Sequence, residues 1–302
     1  MNDIIRIGTR KSALALIQTQ LVADELRQVC PGIQVEIVTK DTLGDRILDK
    51  PLQEFGGKGV FVSEFEQAIQ EGVIDLAVHS AKDLPMELAR GLTIAAVSAR
   101  EDPRDVLVTM RGRRVCPGST VRIGTSSPRR QLQVRLMQKT LWPEAAGAEC
   151  STLRGNVHTR LRKLEEENFD GIILAAAGLK RLGLFEQDTY EYTFLNPEEF
   201  IPAGGQGLMA VEAKTGTRAH TLTRSMDHGD ARLCLDLERR VLKLLDAGCH
   251  EPIGIYSALK DGQMEVWGIS SRNGTVKRVH LTGGTLQEDV EKLASEAWKG
   301  LM

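Results

Sequence analysis

Val121-Arg-Ile-Gly-Thr-Ser-Ser-Pro-Arg-Arg130 is the stretch whose reading decides the fold. Val121 to Gly124 reads as the end of a strand. Ser127 suits a helix N-cap and Pro128 the first helical position. A strand that runs through so short a turn into a helix is the unit of an α/β architecture. Arg129 and Arg130 then fall in the first helical turn, where the helix end is already partly positive. Two guanidiniums placed there call for an anion beside them. The surrounding stretch, 111–163, has twelve Lys or Arg against two acids, Glu144 and Glu149, in a chain of net charge −2.

The same arrangement recurs three times. Arg154 precedes Gly155-Asn156, and Asn156 can cap a helix that carries Arg160. Thr9-Arg10-Lys11-Ser12 joins a strand, Ile4 to Gly8, to a helix over 12–29 that Ser12 caps. Gly56-Gly-Lys58-Gly59 lies before a helix beginning near Ser63. One basic turn is ordinarily a solvated face. Four of one kind point to a cleft for several carboxylates or phosphates.

Outward from these turns, buried apolar strands are expected at Asp75 to His79 and at Gly171 to Ala176. Further strands are read at 33–39 and 91–98. After about residue 220 the pattern changes. A helix over 230–245 precedes three strand-like runs separated by Asp261-Gly262 and Asn273-Gly274, both strong hairpin signals. A last helix spans 286–299. The polar, glycine-flanked 41–59 stretch reads as a mobile loop that closes over the cleft.

At 302 residues the chain can hold two or three domains. No apolar run reaches membrane-span length. The N-terminus shows no signal-peptide pattern, so a cytoplasmic location is expected. Five cysteines without a CxxC pair, and scattered histidines without HExxH, give no metal site. Near-neutral charge and one aromatic, Trp142, in the basic stretch argue against nucleic acid.

Two candidates for chemistry stand out. Asp83, in Ser80-Ala-Lys-Asp-Leu-Pro85, lies beyond a buried strand, where α/β sheets bind ligands. Its plainer reading is a turn or N-cap aspartate. Cys249 lies in Asp246-Ala-Gly-Cys-His-Glu-Pro252, between a helix and a strand. Its plainer reading is one more small buried cysteine.

Taken together, the motifs resemble the porphobilinogen deaminase (hydroxymethylbilane synthase) family. They are Thr9-Arg-Lys-Ser-Ala-Leu-Ala, Gly56-Gly-Lys-Gly, His79-Ser-Ala-Lys-Asp-Leu-Pro, Arg100-Glu-Asp-Pro-Arg-Asp, Gly124-Thr-Ser-Ser-Pro-Arg-Arg, Leu153-Arg-Gly-Asn-Val, Ala177-Gly-Leu-Lys-Arg, Pro202-Ala-Gly-Gly-Gln-Gly and Gly248-Cys-His-Glu-Pro-Ile-Gly. Nine in register over essentially the whole chain are specific. The segment 142–149 matches poorly and carries no assigned role. Ala247 and Leu208 depart from the usual pattern without removing a functional group.

The resemblance implies a transferase that joins four porphobilinogen molecules into a linear tetrapyrrole. The product grows on a dipyrromethane cofactor held by a thioether to Cys249. It implies two lobes like those of periplasmic binding proteins, 1–99 with 197–217 and 103–195. A small α+β domain, 220–302, adds a three-stranded antiparallel sheet. It makes Asp83 catalytic and assigns carboxylate binding to Arg10, Ser12, Lys58, Lys82, Ser126, Ser127, Arg129, Arg130, Arg154, Arg160 and Arg181. A cytoplasmic monomer acting on porphobilinogen is expected, with no metal, nucleic acid or membrane. A two-lobed binding protein for an organic anion and a cysteine hydrolase using His250 are the competing readings.

Overall fold

A computed structural model of the chain describes residues 4–40, 62–247, 251–272 and 274–302. The 41–59 loop, Lys58, and Gly248-Cys249-His250 lie outside the described residues. In chain order the strands are β1 (Ile4–Arg10), β2 (Gln34–Lys40), β3 (Leu76–Ser80), β4 (Leu92–Val97), β5 (Asp105–Met110), β6 (Thr120–Gly124), β7 (Gly147–Ser151), β8 (Gly171–Ala175), β9 (Tyr190–Phe194), β10 (Met209–Lys214), β11 (Ile253–Lys260), β12 (Gln263–Arg272) and β13 (Thr275–Gly283).

The chain divides into two compact units, Met1–Glu101 with Gly205–Arg239, and Asp102–Gly204 with Arg240–Met302. In the first, the sheet order is β2-β1-β3-β10-β4. β1 runs parallel to β2 and β3, and β10 runs antiparallel to β3 and β4. β3 is buried along Leu76–His79, and β10 along Met209–Ala213, as strands covered on both faces must be. Ile5, Ile7, Leu76 and Val78 pack with Val22, Ala23 and Leu26 of the Ala13–Val29 helix.

The second unit repeats the plan in the order β7-β6-β8-β5-β9. β6 is parallel to β7 and β8, and β5 is antiparallel to β8 and β9. β5 thus occupies the place that β10 takes in the first sheet. Two sheets of one topology, each with a single strand reversed between its neighbours, are the pair of lobes the sequence led one to expect. The helices Pro128–Leu141 and Val157–Glu166 flank this sheet. Leu161 and Leu164 pack on Val106, Val108 and Ile172.

The same unit holds the antiparallel sheet β11-β12-β13, covered by the Gln287–Leu301 helix. Asp261 (φ 50°) and Gly262 (φ 75°) both take the left-handed backbone that a two-residue hairpin demands. Leu132 from the Pro128–Leu141 helix meets Ile201, Trp267 and Ile269, which ties this sheet to the basic lobe.

Four of the described strands escaped the sequence reading, among them the apolar β10. β5 and β9 lie in charged or mixed stretches. β7, Gly-Ala-Glu-Cys-Ser, is an edge strand without an apolar face, and it begins inside the 142–149 segment that had been given no role.

Candidate functional site

In the first unit, functional side chains gather where the parallel strands end. Gly8 of β1 pairs with Ala77 of β3, so the segments after both strands leave one edge of the sheet. Arg10 closes β1. Ser12 then caps the Ala13–Val29 helix, its hydroxyl accepting from Ala15 N at 3.4 Å. β3 runs into a single 3-10 turn, Ala81–Asp83. Lys82 is half-buried, with Nζ 3.5 Å from Gln206 Oε1. Asp83 is exposed, and among the described residues its carboxylate has no hydrogen-bond or ion-pair partner. The carboxyl ends of strands are where open α/β sheets bind ligands.

In the second unit the corresponding edge is basic. Ser127 caps the Pro128–Leu141 helix and Pro128 starts it. Ser126 is bound twice to Leu153: its Oγ donates to the carbonyl at 2.9 Å and accepts from the N–H at 3.0 Å. That ties the 125–128 turn to the residue before Arg154. Asn156 Oδ1 caps the Val157–Glu166 helix, accepting from Thr159 N at 2.9 Å. Arg160 Nε donates to Gly155 O at 2.8 Å. Arg154, Arg160 and Arg181 are all partly exposed.

Arg129 and Arg130 are different. They are buried, and the anion beside them belongs to the chain: Asp105, the first residue of β5. Arg129 Nη1 lies 2.6 Å from Asp105 Oδ2 and donates also to Ile201 O at 2.8 Å. Arg130 approaches Asp105 Oδ1 with Nη2 at 2.6 Å and Nε at 3.1 Å, and its Nη1 donates to Ile173 O at 2.8 Å. Burial alone would raise the Asp105 pKa. The two guanidiniums outweigh it and hold the group well below the usual carboxylate range. Of the Arg129 donors, only Nη1 is engaged among the described residues.

Sequence reasoning missed Asp105 as the partner of this pair, although it ends the Arg100-Glu-Asp-Pro-Arg-Asp motif. It also missed Arg272, which donates through Nη2 to Glu251 Oε2 at 2.7 Å and to Leu245 O. Leu245 and Glu251 flank the segment that contains Cys249, so one β12 arginine holds both approaches to it. A lone arginine in a strand carries no local signal of such a role.

Comparison with known proteins shows what the chain as a whole is similar to. Residues 5–221 match the family model "Porphobilinogen deaminase, dipyromethane cofactor binding domain" and residues 232–299 match "Porphobilinogen deaminase, C-terminal domain". The chain is 44% identical over 270 residues to the porphobilinogen deaminase of Chromobacterium violaceum, covering 88% of this chain and 84% of that one. It is 43% identical over 292 residues to that of Roseiflexus castenholzii, covering 94% and 91%.

Proposed function

Because the chain belongs to the porphobilinogen deaminase family, we propose that Asp83 is the catalytic carboxylate of this tetrapyrrole-forming transferase and that Cys249 carries its dipyrromethane. Four porphobilinogen molecules are joined head to tail, with loss of ammonia at each addition. When bound, the dipyrromethane supplies the terminal pyrrole from which the chain grows. Each pyrrole brings an acetate and a propionate, so the primer alone presents four carboxylates. Each unit offers donors for carboxylates: Arg10, Ser12 and Lys82 on the first, and Ser126, Ser127, Arg154, Arg160 and Arg181 on the second, are at least partly exposed. Arg129 joins them through its uncommitted Nε and Nη2, while Arg130 supports it through Asp105. Lys58 is assigned to the same task by its motif.

At each addition the C–N bond of the substrate aminomethyl group breaks and ammonia leaves. A cationic methylene-pyrrole remains. The free α-carbon of the chain's terminal pyrrole would supply the electron pair for the new C–C bond to that methylene, and that α-carbon then loses its proton. Asp83 is held ready to face the positive charge and to accept pyrrole N–H groups, an arrangement fixed before reaction. It can also take the final proton. The arginines stay charged throughout and bind carboxylates; they do not transfer protons.

The observation that carries this reading is an exposed Asp83, without a partner among the described residues, beside half-buried Lys82 at the sheet edge. Asp83→Asn is expected to lose nearly all turnover with the fold retained. Asp83→Glu keeps a trace, since charge survives and position does not. Asn activity equal to that of Glu sinks the electrostatic role.

Three domains, 1–99 with 197–217, 103–195 and 220–302, are part of the same proposal. So is a cytoplasmic monomer. Four described cysteines, 30, 116, 150 and 234, are free thiols, as a reducing compartment requires. No described helix is long and apolar enough to cross a membrane. Light scattering at micromolar concentration that gave twice the chain mass would contradict the monomer.

A further inference from the structure

The Ala81–Asp83 turn is gripped from two sides by consecutive residues of one helix, Gly229–Leu244. On one side stands Glu238, whose side chain is fully buried. Its Oε2 accepts the Gly205 N–H at 2.6 Å and its Oε1 accepts from Arg100 Nη2 at 2.7 Å. Arg100 Nη1 donates to Gln206 O at 2.9 Å. The 205–207 backbone thus hangs on a buried ion pair.

This backbone is pressed against the Asp83 turn. Gly205 has φ +77°, and a Cβ there would stand 3.0 Å from both Ala81 C and Lys82 N. Only glycine accepts that conformation and that approach without strain. Ala81 N donates to Leu208 O at 3.0 Å, and Lys82 reaches the fully buried Gln206. On the other side Arg239 Nη2 donates to Pro85 O at 2.7 Å and to Met86 O at 2.9 Å. Residues 81–86 are therefore fixed at both ends, while the Asp83 carboxylate touches none of the groups that fix them.

We propose that Glu238, Arg100 and Arg239 are positioning residues for Asp83, which set the rate of chain extension through the backbone of its turn without touching substrate. The inference rests on the reading of Asp83 as catalytic. An unpaired carboxylate acts by where it stands, so a backbone shift of about 1 Å costs on the order of 100-fold in rate. A buried pair that served only folding would change stability and leave kcat alone.

The test measures kcat, KM and melting temperature for Glu238→Gln and Gly205→Ala, each in the native chain and in Asp83→Glu. Intact mass first confirms equal primer loading. In the native chain both substitutions are expected to lower kcat by about 10- to 100-fold and to raise KM by much less, because Lys82 alone of the carboxylate anchors lies on the displaced turn. In the Asp83→Glu background, where position is already lost, they should add less than about threefold. Arg100→Lys, which keeps the cation beside Glu238, should lower kcat less than Arg100→Ala does. If Glu238→Gln fails to fold, Gly205→Ala carries the same comparison with the ion-pair partners intact. Native kcat in both variants, or losses that simply multiply with Asp83→Glu, would overturn the proposal. Asp83→Asn run alongside separates the two failures: wild-type turnover there removes the catalytic reading itself.

Discussion

Asp105 shows how a single residue changes what its neighbours mean. Two arginines at a helix N-terminus demand an anion, and the chain supplies it from the start of β5. The three side chains are almost fully buried, so the interaction is barely screened by solvent. Removing one partner leaves an uncompensated buried charge. Arg129→Leu and Arg130→Leu are each expected to lower unfolding free energy by about 3–5 kcal/mol, read from urea denaturation at neutral pH. The pH dependence has a definite sign. The folded pKa of Asp105 is depressed, so its stabilisation is complete above the unfolded carboxylate value of about 3.9 and is lost as pH falls below it. The native protein should therefore lose stability more steeply in that acid window than Asp105→Asn does. Parallel curves would show that the pair does not couple protonation to folding.

At the scale of elements, strand-to-helix turns do most of the placing, and their caps are testable. The Asn156 cap is short, at 2.9 Å, whereas those of Ser12 and Ser127 are 3.4 Å and 3.5 Å. Asn156→Ala should cost about 1 kcal/mol and Ser127→Ala less, by urea denaturation. Equal costs would mean that cap geometry does not set the value. Ser126→Ala loses both bonds to Leu153 and should weaken substrate binding through Arg154, seen as a raised KM. These turns were legible because capping chemistry is local: Ser12, Ser127, Pro128 and Asn156 announce their helices by residue type. The hairpin at Asp261-Gly262 was legible for the same reason. β5, β7 and β9 were not. Their place depends on partners far along the chain, as when Asp105 aligns with Ala175 and Gly147 with Thr120. The partnership of Asp105 with Arg129, and of Glu238 with Gly205, joins residues more than twenty positions apart, and no periodicity encodes it.

For the whole molecule, the repeated sheet topology gives two similar edges with opposite equipment. The first edge offers, after β3, an acid unpaired among the described residues. The second offers partly exposed arginines after β7 and β8. Under the proposed function the acid would serve the reacting end and the arginines would bind pyrrole carboxylates. The C-terminal sheet contributes Arg272, which binds Leu245 and Glu251 on either side of the segment that contains Cys249. The central claim is covalent: this enzyme works on a pyrrole primer fixed to Cys249. The most direct measurement is the intact mass of the purified protein and of Cys249→Ser, before and after porphobilinogen is added. The native protein should weigh its sequence plus two pyrrole units and then show a ladder of single-unit additions, while Cys249→Ser shows neither. A native protein at its plain sequence mass that still released linear tetrapyrrole would contradict the account.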